Sequence, residues 1–289
     1  MWRKRQRQTL RVIAGVRWND NPPFSLDADT KEKFPSCQHD FTAFKLPNFS
    51  KCWVEVFRDA EKHAAKRHYR ARPTGSQYAL LYRVHFGDMQ YLHSMASWDG
   101  EFARDTRLRV MMWAEFCYRF ARGEIPHNIE LRKTGIPGME KVFQNYNWTA
   151  ERLYTMDDIT FRTPELMRQM AFGSLLHMVQ DSFSKAHVRW EASNGTNCEL
   201  VPAQAKPGRI EMFYAFNNQN SSKHGDRDSH DGLEVHMRSI TPNVVTVGKT
   251  VLKYFNDHRS WEDFKKYMDC TYELVDEDIP AEAGIDYEK

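Results

Sequence analysis

The sequence lacks the features that would place it in a membrane or on a charged polymer. No run approaches the roughly 20 apolar residues that a membrane-crossing helix needs. No strong charge of one sign is present either, since 41 basic and 39 acidic residues leave a formal net charge of +2. A protein that holds nucleic acid mainly through charge usually shows a basic field. The charge balance therefore argues against nucleic acid as the main partner. The absence of a long apolar run predicts no transmembrane segment.

Cysteine patterns are also missing. The five cysteines are odd in number and form no Cys-x-x-Cys pair, so neither a disulfide framework nor a cysteine zinc site is indicated. We expect free thiols in a reducing compartment. The basic start Met1–Arg7 precedes a segment that is too short and too charged for a signal-peptide core. The predicted location is cytoplasmic, and secretion stays open if an upstream segment is missing.

Helical periodicity is the clearest pattern that is present. Apolar residues recur at steps of three and four over 50–72, over 76–96 with an interruption at Gly87, and over 101–122. Ser50 is placed as the N-cap of the first of these helices. Residues 18–49 contain several prolines and predict a loop-rich entry segment.

A central helix has the strongest start signal. Thr163-Pro164-Glu165 offers an N-cap, a proline at the first helical position and an acid in the first turn, and the helix is predicted to run to about residue 185. Thr241-Pro242 is predicted to open a later helix. Residues 191–232 read as a long loop, with 210–216 as the best strand pattern. We predict an all-α, multi-helix bundle forming one domain over 1–275, followed by a mobile acidic tail at 276–289.

The central helix also carries the most informative polar residues. His177 and Asp181 lie four apart on one helix face, and His187 follows six residues later. Imidazole nitrogen and carboxylate oxygen at this spacing can hold one cation. The alternative is a buried His–Asp hydrogen bond. The nearly uncharged helix around the pair favours a metal, because an unpaired buried carboxylate is costly.

Three further groups resemble ligand pairs. One contains His224-x-x-x-Asp228, with His230-x-x-x-Glu234 as a rival pairing and a solvated loop as the alternative. The others are His85-Phe86-Gly87-Asp88, whose histidine is otherwise a core residue, and Trp18-Asn19-Asp20, which is otherwise a turn.

These motifs, in this order, resemble the zinc-dependent phospholipase C and single-strand-specific zinc nuclease superfamily. His177-x-x-x-Asp181-x-x-x-x-x-His187 is similar to the superfamily's central ligand motif, and the other three groups are similar to its outer ones. The resemblance implies two zinc ions. One would be held by Asp20, His85, His177 and Asp181, and the other by His187, His224 and Asp228.

This sequence departs from the superfamily at the third zinc, which in the superfamily is bound by an amino-terminal Trp and a nearby His. Trp18 has 17 residues before it here, so a third site is either absent or built from His39, His63 or His93. The segment between Asp20 and His85 is also longer than in the superfamily and contains the extra helix.

The implied chemistry is hydrolysis of a phosphodiester by metal-activated water. Asp20 is predicted to accept the proton of the water, and the counterpart of Asp181 bridges metals in the superfamily. The sequence favours a phospholipid substrate, with single-stranded nucleic acid as the alternative and a non-catalytic metal-binding module as the second. Aromatic residues near the metal motifs would suit either substrate; they are Phe183, Trp190, Phe213, Tyr214 and Phe216.

Overall fold

The structure is a computed structural model that describes residues 11–24, 34, 36–37, 51–66, 79–156, 163–191, 196–229, 231–232, 234 and 240–289. The chain divides into two units. Unit 1 comprises Met1–Gln90 and Arg119–Leu175, and unit 2 comprises Tyr91–Tyr118 and Leu176–Lys289. A single domain over 1–275 stays a prediction.

Helices dominate the described residues. They are α1 (11–16), α2 (Lys51–Lys66), α3 (Ala79–Phe86), α4 (Ala103–Ala121), α5 (Met139–Phe143), α6 (Ala150–Thr155), α7 (Pro164–Asp181), α8 (Ser221–Arg227), α9 (Val244–Asn256) and α10 (Trp261–Thr271). Single 3-10 turns lie at Gln90–His93, Leu131–Lys133 and Phe216–Asn218. The strands are β1 (Val188–Trp190), β2 (Asn197–Cys198), β3 (Val201–Ala205) and β4 (Ile210–Phe213), paired antiparallel as β1 with β4 and β2 with β3. The predicted mostly helical class is confirmed.

In unit 1, α1 and α7 touch through glycine. A Cβ added to Gly173 would lie 2.2 Å from the carbonyl oxygen of Val12, and one added to Gly15 would lie 2.2 Å from that of Met170. Beside this contact, Ser174 Oγ donates to Asn19 Oδ1 at 2.6 Å. The two backbones can approach this closely only because neither position carries a side chain.

A buried arginine organises another part of unit 1. Arg83 in α3 is fully buried and donates to both carboxylate oxygens of Asp88 at 2.8 and 2.9 Å, and to the carbonyl of Val142 at 2.7 Å. Its guanidinium also lies over the rings of Phe143 and Tyr146. A buried charge is tolerated when it is paired and hydrogen-bonded in this way. Asp88 therefore serves as the partner of Arg83.

Unit 2 packs α4, α9 and α10 against one another through aromatic rings. Tyr118 of α4 stacks on Phe264 of α10 with ring centroids 4.4 Å apart, and Tyr254 of α9 stacks on Tyr267 at 5.6 Å. Ser94 Oγ donates to the carbonyl of Met178 at 2.7 Å. This contact attaches the turn that carries His93 to the end of α7.

Several predicted helix boundaries are confirmed and others are shifted. α7 begins at Pro164 as predicted, and the helix over 76–96 breaks near Gly87, where α3 ends at Phe86. α7 ends at Asp181, four residues before the predicted 185. The helix expected from Thr241-Pro242 begins at Val244 instead, because Asn243 acts as the N-cap and accepts from Thr246 N at 3.1 Å.

Residues 11–16, which precede the loop-rich segment predicted at 18–49, are helical. The loop predicted over 191–232 was wrong where β2, β3 and α8 lie, whereas β4 lies within 210–216, the best strand pattern of the sequence. β2 and β3 are two and five residues long, so their periodicity is too brief to read from sequence.

The mobile tail predicted at 276–289 was wrong as well. Ala281, Ala283 and Tyr287 are buried. Ala215 N donates to Glu282 O at 2.9 Å and Gly100 N donates to Ala281 O at 2.7 Å. Backbone hydrogen bonds and these buried side chains fix this segment, and acidic composition gives no sign of either.

Four cysteines form disulfides, which corrects the prediction of free thiols. Cys37 pairs with Cys52 in unit 1, and Cys198 pairs with Cys270 in unit 2. Cys117 is buried and takes part in no disulfide. The partners are 15 and 72 residues apart in sequence, so their pairing depends on tertiary contacts that no short spacing motif reveals.

Among the described residues, no helix combines the length and the apolar character needed to cross a bilayer.

Candidate metal centre

Four segments of unit 2 bring imidazoles and carboxylates together. They are the 3-10 turn that ends at His93, the last turn of α7, the turn that follows it, and α8 with its C-cap. The side chains that converge are His93, His177, Asp181, His187, His224 and Asp228. We call His93, His177 and Asp181 the Asp181 cluster, and His187, His224 and Asp228 the His224 cluster.

The Asp181 cluster is built around one carboxylate oxygen. Asp181 Oδ2 lies 2.8 Å from His93 Nδ1 and 2.9 Å from His177 Nε2, and these two nitrogens are 3.1 Å apart. Ligand atoms at about 2.0–2.1 Å from a tetrahedral zinc are separated by about 3.3 Å. The three atoms therefore form a triangle slightly smaller than the ligand set of one such ion.

The charge of Asp181 is fixed by these neighbours. Burial opposes ionisation, but His177, His93 and His187 together hold the pKa of the Asp181 carboxyl well below its ordinary range. His187 contributes from a distance of 3.7 Å between its Nδ1 and Asp181 Oδ2. Asp181 is therefore an anion at neutral pH, surrounded by nitrogen donors.

The tautomer of His187 follows from a backbone contact. Its Nδ1 lies 2.8 Å from the carbonyl oxygen of His93, and a carbonyl only accepts, so Nδ1 carries the hydrogen. The other nitrogen, Nε2, then presents a lone pair. The turn after α7 sets this ring in place, because His187 N donates to the carbonyl of Ser184 at 3.0 Å.

The tautomer of His224 is set by Gln219. The Gln219 amide nitrogen donates to the carbonyls of Ala186 and Ala283, each at 2.8 Å, so the amide oxygen must face His224. His224 Nδ1 lies 2.6 Å from that oxygen and therefore donates to it. As in His187, the nitrogen left with a lone pair is Nε2.

The two Nε2 atoms face each other. His187 Nε2 and His224 Nε2 are 3.3 Å apart, and the ligand atoms of the His224 cluster all lie within 4.8 Å of one another. Asp228 completes the set from the C-cap of α8, with Oδ1 3.7 Å from His187 Nε2. Two facing lone pairs beside a carboxylate are the arrangement that a shared cation stabilises.

Both imidazoles are in the form that binds metal. Burial lowers the pKa of His187 to about 4 and that of His224 to about 3. Each ring is therefore neutral at pH 7. Only neutral imidazole offers a lone pair to a cation, and each ring has its second nitrogen held by an acceptor, as is usual for ligating histidines.

Two predicted ligands belong to unit 1. His85 Nε2 lies 2.8 Å from the backbone carbonyl oxygen of Asp20 and therefore donates to it. The His85 ring meets Phe57 edge-on at 5.2 Å. Residues 17–20 form the turn that was the alternative interpretation of Trp18-Asn19-Asp20. The ligand roles of Asp20 and His85, and the role of Asp20 as proton acceptor, stay predictions.

His93 is the residue whose place the sequence left most open. It was one of three alternatives for a third zinc, and it lies within the Asp181 cluster.

Of the other two histidines considered for a third zinc, His63 is half-exposed in α2 of unit 1, with its Nε2 3.6 Å from Asp59 Oδ2. His39 lies outside the described residues, as does His230 of the rival pairing. Gln219 was not anticipated, and no sequence motif singles it out.

A cleft of about 490 Å³ opens beside both clusters. Asp181 and Asp228 line it, and Arg227 and Lys249 add positive charge. Its apolar wall includes Leu176, Val244, Val245 and Leu252. Val245 and Leu252 are 47% and 42% exposed in α9, so an apolar group in the cleft would meet them directly.

The aromatic residues that were candidates for base stacking are mostly part of the core. Phe183, Phe213 and Tyr214 are buried, and Trp190 stacks on Phe183 at 5.4 Å. A buried ring cannot serve as an open platform for a nucleic-acid base.

Known proteins add no assignment to this geometry. Comparisons with protein-family models, with curated proteins and with solved structures found no match for this chain. Only the residues themselves and their arrangement in unit 2 therefore bear on the function of this chain.

Proposed function

We propose that the protein is a zinc-dependent phosphodiester hydrolase that acts like a phospholipase C. The observation that carries the proposal is the His224 cluster, where two neutral imidazoles direct Nε2 atoms at each other 3.3 Å apart beside a carboxylate. The Asp181 cluster lies next to it, because His187 contacts both Asp181 and His224. Two adjacent sets of N and O donors suit two zinc ions.

The donor chemistry supports zinc over several other metals. Imidazole with carboxylate suits zinc and related transition metals, whereas magnesium and calcium prefer oxygen alone. Neither cluster contains cysteine, which is frequent in closed structural zinc sites. Each cluster contributes three protein ligands from unit 2, the number typical of catalytic zinc sites.

When bound, such ions neutralise the charge of a phosphodiester and lower the pKa of water toward about 7. Side chains of the protein supply the other functions of the site, which are to hold the cations and to bind the substrate. Asp181 keeps its negative charge at neutral pH and so holds cations beside the cleft. Arg227 and Lys249 are placed to bind the anionic part of a substrate. The neutral rings of His187 and His224 hold their geometry through second-nitrogen hydrogen bonds.

The cleft favours an amphiphilic phosphodiester. Leu176, Val245 and Leu252 offer an apolar wall next to the two carboxylates, where an acyl group could lie while its phosphate meets the cations. A nuclease would need exposed aromatic platforms, and three of the candidates for this role are buried. Phospholipid is therefore the substrate class that we favour.

The disulfides bear on the compartment. Disulfides persist in oxidising environments and are rare in the cytosol. The cytoplasmic location predicted from sequence is not confirmed, and we favour an oxidising compartment or the cell exterior.

The test begins with elemental analysis of the purified protein and hydrolysis of bis-p-nitrophenyl phosphate, with and without chelator. We expect two zinc ions per chain and activity that chelator removes and zinc restores. Phosphatidylcholine micelles and single-stranded DNA are then compared side by side. Metal binding without hydrolysis of any diester would favour the non-catalytic metal-binding module, and preference for DNA would favour the nuclease.

A further inference from the structure

Gln219 is a buried polar residue that does not line the cleft. It is 1% exposed, in the chain between the 3-10 turn Phe216–Asn218 and α8. Its side chain makes three hydrogen bonds, two through the amide nitrogen and one through the amide oxygen. All three hydrogen bonds are made within the protein, so they orient the Gln219 side chain rather than bind a ligand.

The orientation matters because it determines the tautomer of His224. With both amide hydrogens on the carbonyls of Ala186 and Ala283, only the amide oxygen can face His224 Nδ1. The Nδ1 hydrogen then points at Gln219, and Nε2 points at His187. If the Gln219 amide group were flipped, its oxygen would face the carbonyl oxygens of Ala186 and Ala283. That orientation is disfavoured because none of the three oxygens can donate a hydrogen.

One of the two carbonyls comes from the segment 276–289. Ala283 is held there because Ala215 N donates to Glu282 O at 2.9 Å and Asn220 N donates to Tyr287 O at 2.6 Å. These contacts lie on both sides of Gln219 in sequence, and a backbone bridge joins Gln219 itself to Glu288. The segment thus encloses the support of the His224 ring.

A glycine next to Ala283 fixes the path of this segment. Gly284 has a φ of 85°, in the left-handed region, and a Cβ there would lie 2.8 Å from the buried ring of Tyr214. A side chain at 284 would be strained by both its backbone conformation and its contact. The carbonyl of Ala283 would shift in consequence.

We propose that Gln219 is a positioning residue of the metal centre, held in its working orientation by the segment 276–289 through the carbonyl of Ala283. The inference rests on the proposed metal-dependent function. It adds that one of the two clusters has its ligand geometry set by a neutral amide and by a segment distant in sequence. Replacing such a partner of a ligating histidine lowers metal affinity by about 10- to 100-fold.

The test compares Gln219→Leu with Gln219→Glu in a titration of the apoprotein with Co²⁺, followed by visible absorption. Both variants lose the two amide donors, so both should be less stable in chelator. Gln219→Leu also loses the acceptor for His224 Nδ1, and one of two Co²⁺ sites should weaken about 10- to 100-fold while the other is unchanged. Gln219→Glu keeps an acceptor and should retain both sites.

This contrast separates positioning from structure. If Gln219 were only structural, Co²⁺ affinity would follow stability in both variants, or both sites would weaken together, and either result overturns the inference. Gly284→Ala is the second variant and should weaken the same single site. If the Co²⁺ affinities of Gly284→Ala match those of the wild type, that result would also count against the role of the segment 276–289.

The two proposals fail in different ways. Wild-type protein that binds no Co²⁺ sinks the metal-dependent function, whereas two wild-type sites that Gln219→Leu leaves unchanged sink only the inference. A second readout needs no metal at all. ¹⁵N shifts of the His224 ring in the apoprotein should report hydrogen at Nδ1 in wild type and Gln219→Glu, and a mixture of tautomers in Gln219→Leu. Hydrogen at Nε2 in the wild type would overturn the assignment.

Discussion

His187 Nε2 lies 3.3 Å from His224 Nε2, in imidazole rings inclined by 24°. Each ring has its Nδ1 hydrogen engaged by an oxygen acceptor, so neither Nε2 can donate to the other while both rings are neutral. The pair resembles two ligands of one ion more than a hydrogen bond within the protein.

Replacing His224 with Ala should remove one of two zinc ions. It deletes one Nε2 of the facing pair but leaves the Asp181 cluster intact, so zinc content should fall from about two to about one per chain. Diesterase activity should fall by at least the roughly 10- to 100-fold that follows loss of an outer partner of a ligand. His127→Ala is the matched control, because His127 is a half-exposed histidine of unit 1 whose Nε2 is 3.8 Å from Glu151. Equal zinc content in the two variants would contradict the assignment.

Asp181→Asn should have the broader effect. The substitution keeps the size of the side chain but removes the charge that faces His93, His177 and His187. We expect activity on bis-p-nitrophenyl phosphate to be lost and zinc content to drop. Asp226→Asn, an exposed residue of α8, supplies the control and should match the wild type. Full activity of Asp181→Asn would end the functional proposal as a whole.

The apolar wall of the cleft predicts a substrate-dependent defect. Leu252→Glu places a charge where an acyl group would lie, so KM for phosphatidylcholine should rise about 10- to 100-fold. Hydrolysis of bis-p-nitrophenyl phosphate, which has no acyl chain, should change little. Leu108→Glu is the control, because Leu108 is 64% exposed and does not line this cleft. An equal loss on both substrates would argue against an acyl-binding role.

Removal of the disulfides should lower stability in a fixed order. Chain-entropy arithmetic gives about 4 kcal/mol for the Cys198–Cys270 link and about 3 kcal/mol for Cys37–Cys52, from separations of 72 and 15 residues. Double serine variants of each pair would be compared in urea unfolding. Cys117→Ser tests the loss of a buried thiol without loss of a link. No change on reduction of the wild type would exclude both disulfides from the native protein.

The glycine contact in unit 1 predicts a further loss of stability. Gly173→Ala puts a methyl group 2.2 Å from the carbonyl oxygen of Val12, and the two helices must separate. We expect a cost of about 1–3 kcal/mol in the free energy of unfolding. Gly248→Ala in α9 meets nothing within 4 Å and should be neutral or stabilise by up to about 1 kcal/mol. A stable Gly173→Ala would show that α1 and α7 do not cross at this point.

Local signals predicted the frame of the site but not its completion. Thr163-Pro164-Glu165 marked the start of α7, and the helical period placed His177 and Asp181 on one face. His93 approaches His177 across a sequence separation of 84 residues, and nothing in the spacing of a single chain reports such a contact. Short-range rules therefore found the pair and left the third member open among His39, His63 and His93.

The missed elements share a physical cause. β2 and α8 are too short for their periodicity to be visible, and the segment 276–289 is ordered by backbone hydrogen bonds that any composition can make. The two cysteines of each disulfide come together only when the chain between them folds. For the segment 276–289 and the disulfides the deciding interaction is non-local, whereas composition and periodicity report only neighbours along the chain.

The spread of the ligands along the chain has a consequence for biosynthesis. Ribosomes add about 5–20 residues per second, so about 7–27 s separate the synthesis of His93 from that of Asp228, which lies 135 positions later (228 − 93). The carbonyl of Ala283 that supports Gln219 comes later still. During this interval the nascent chain has histidines but no finished pocket. We therefore expect zinc to enter a nearly completed fold, so that zinc given after a zinc-free synthesis should restore full activity as well as zinc given throughout.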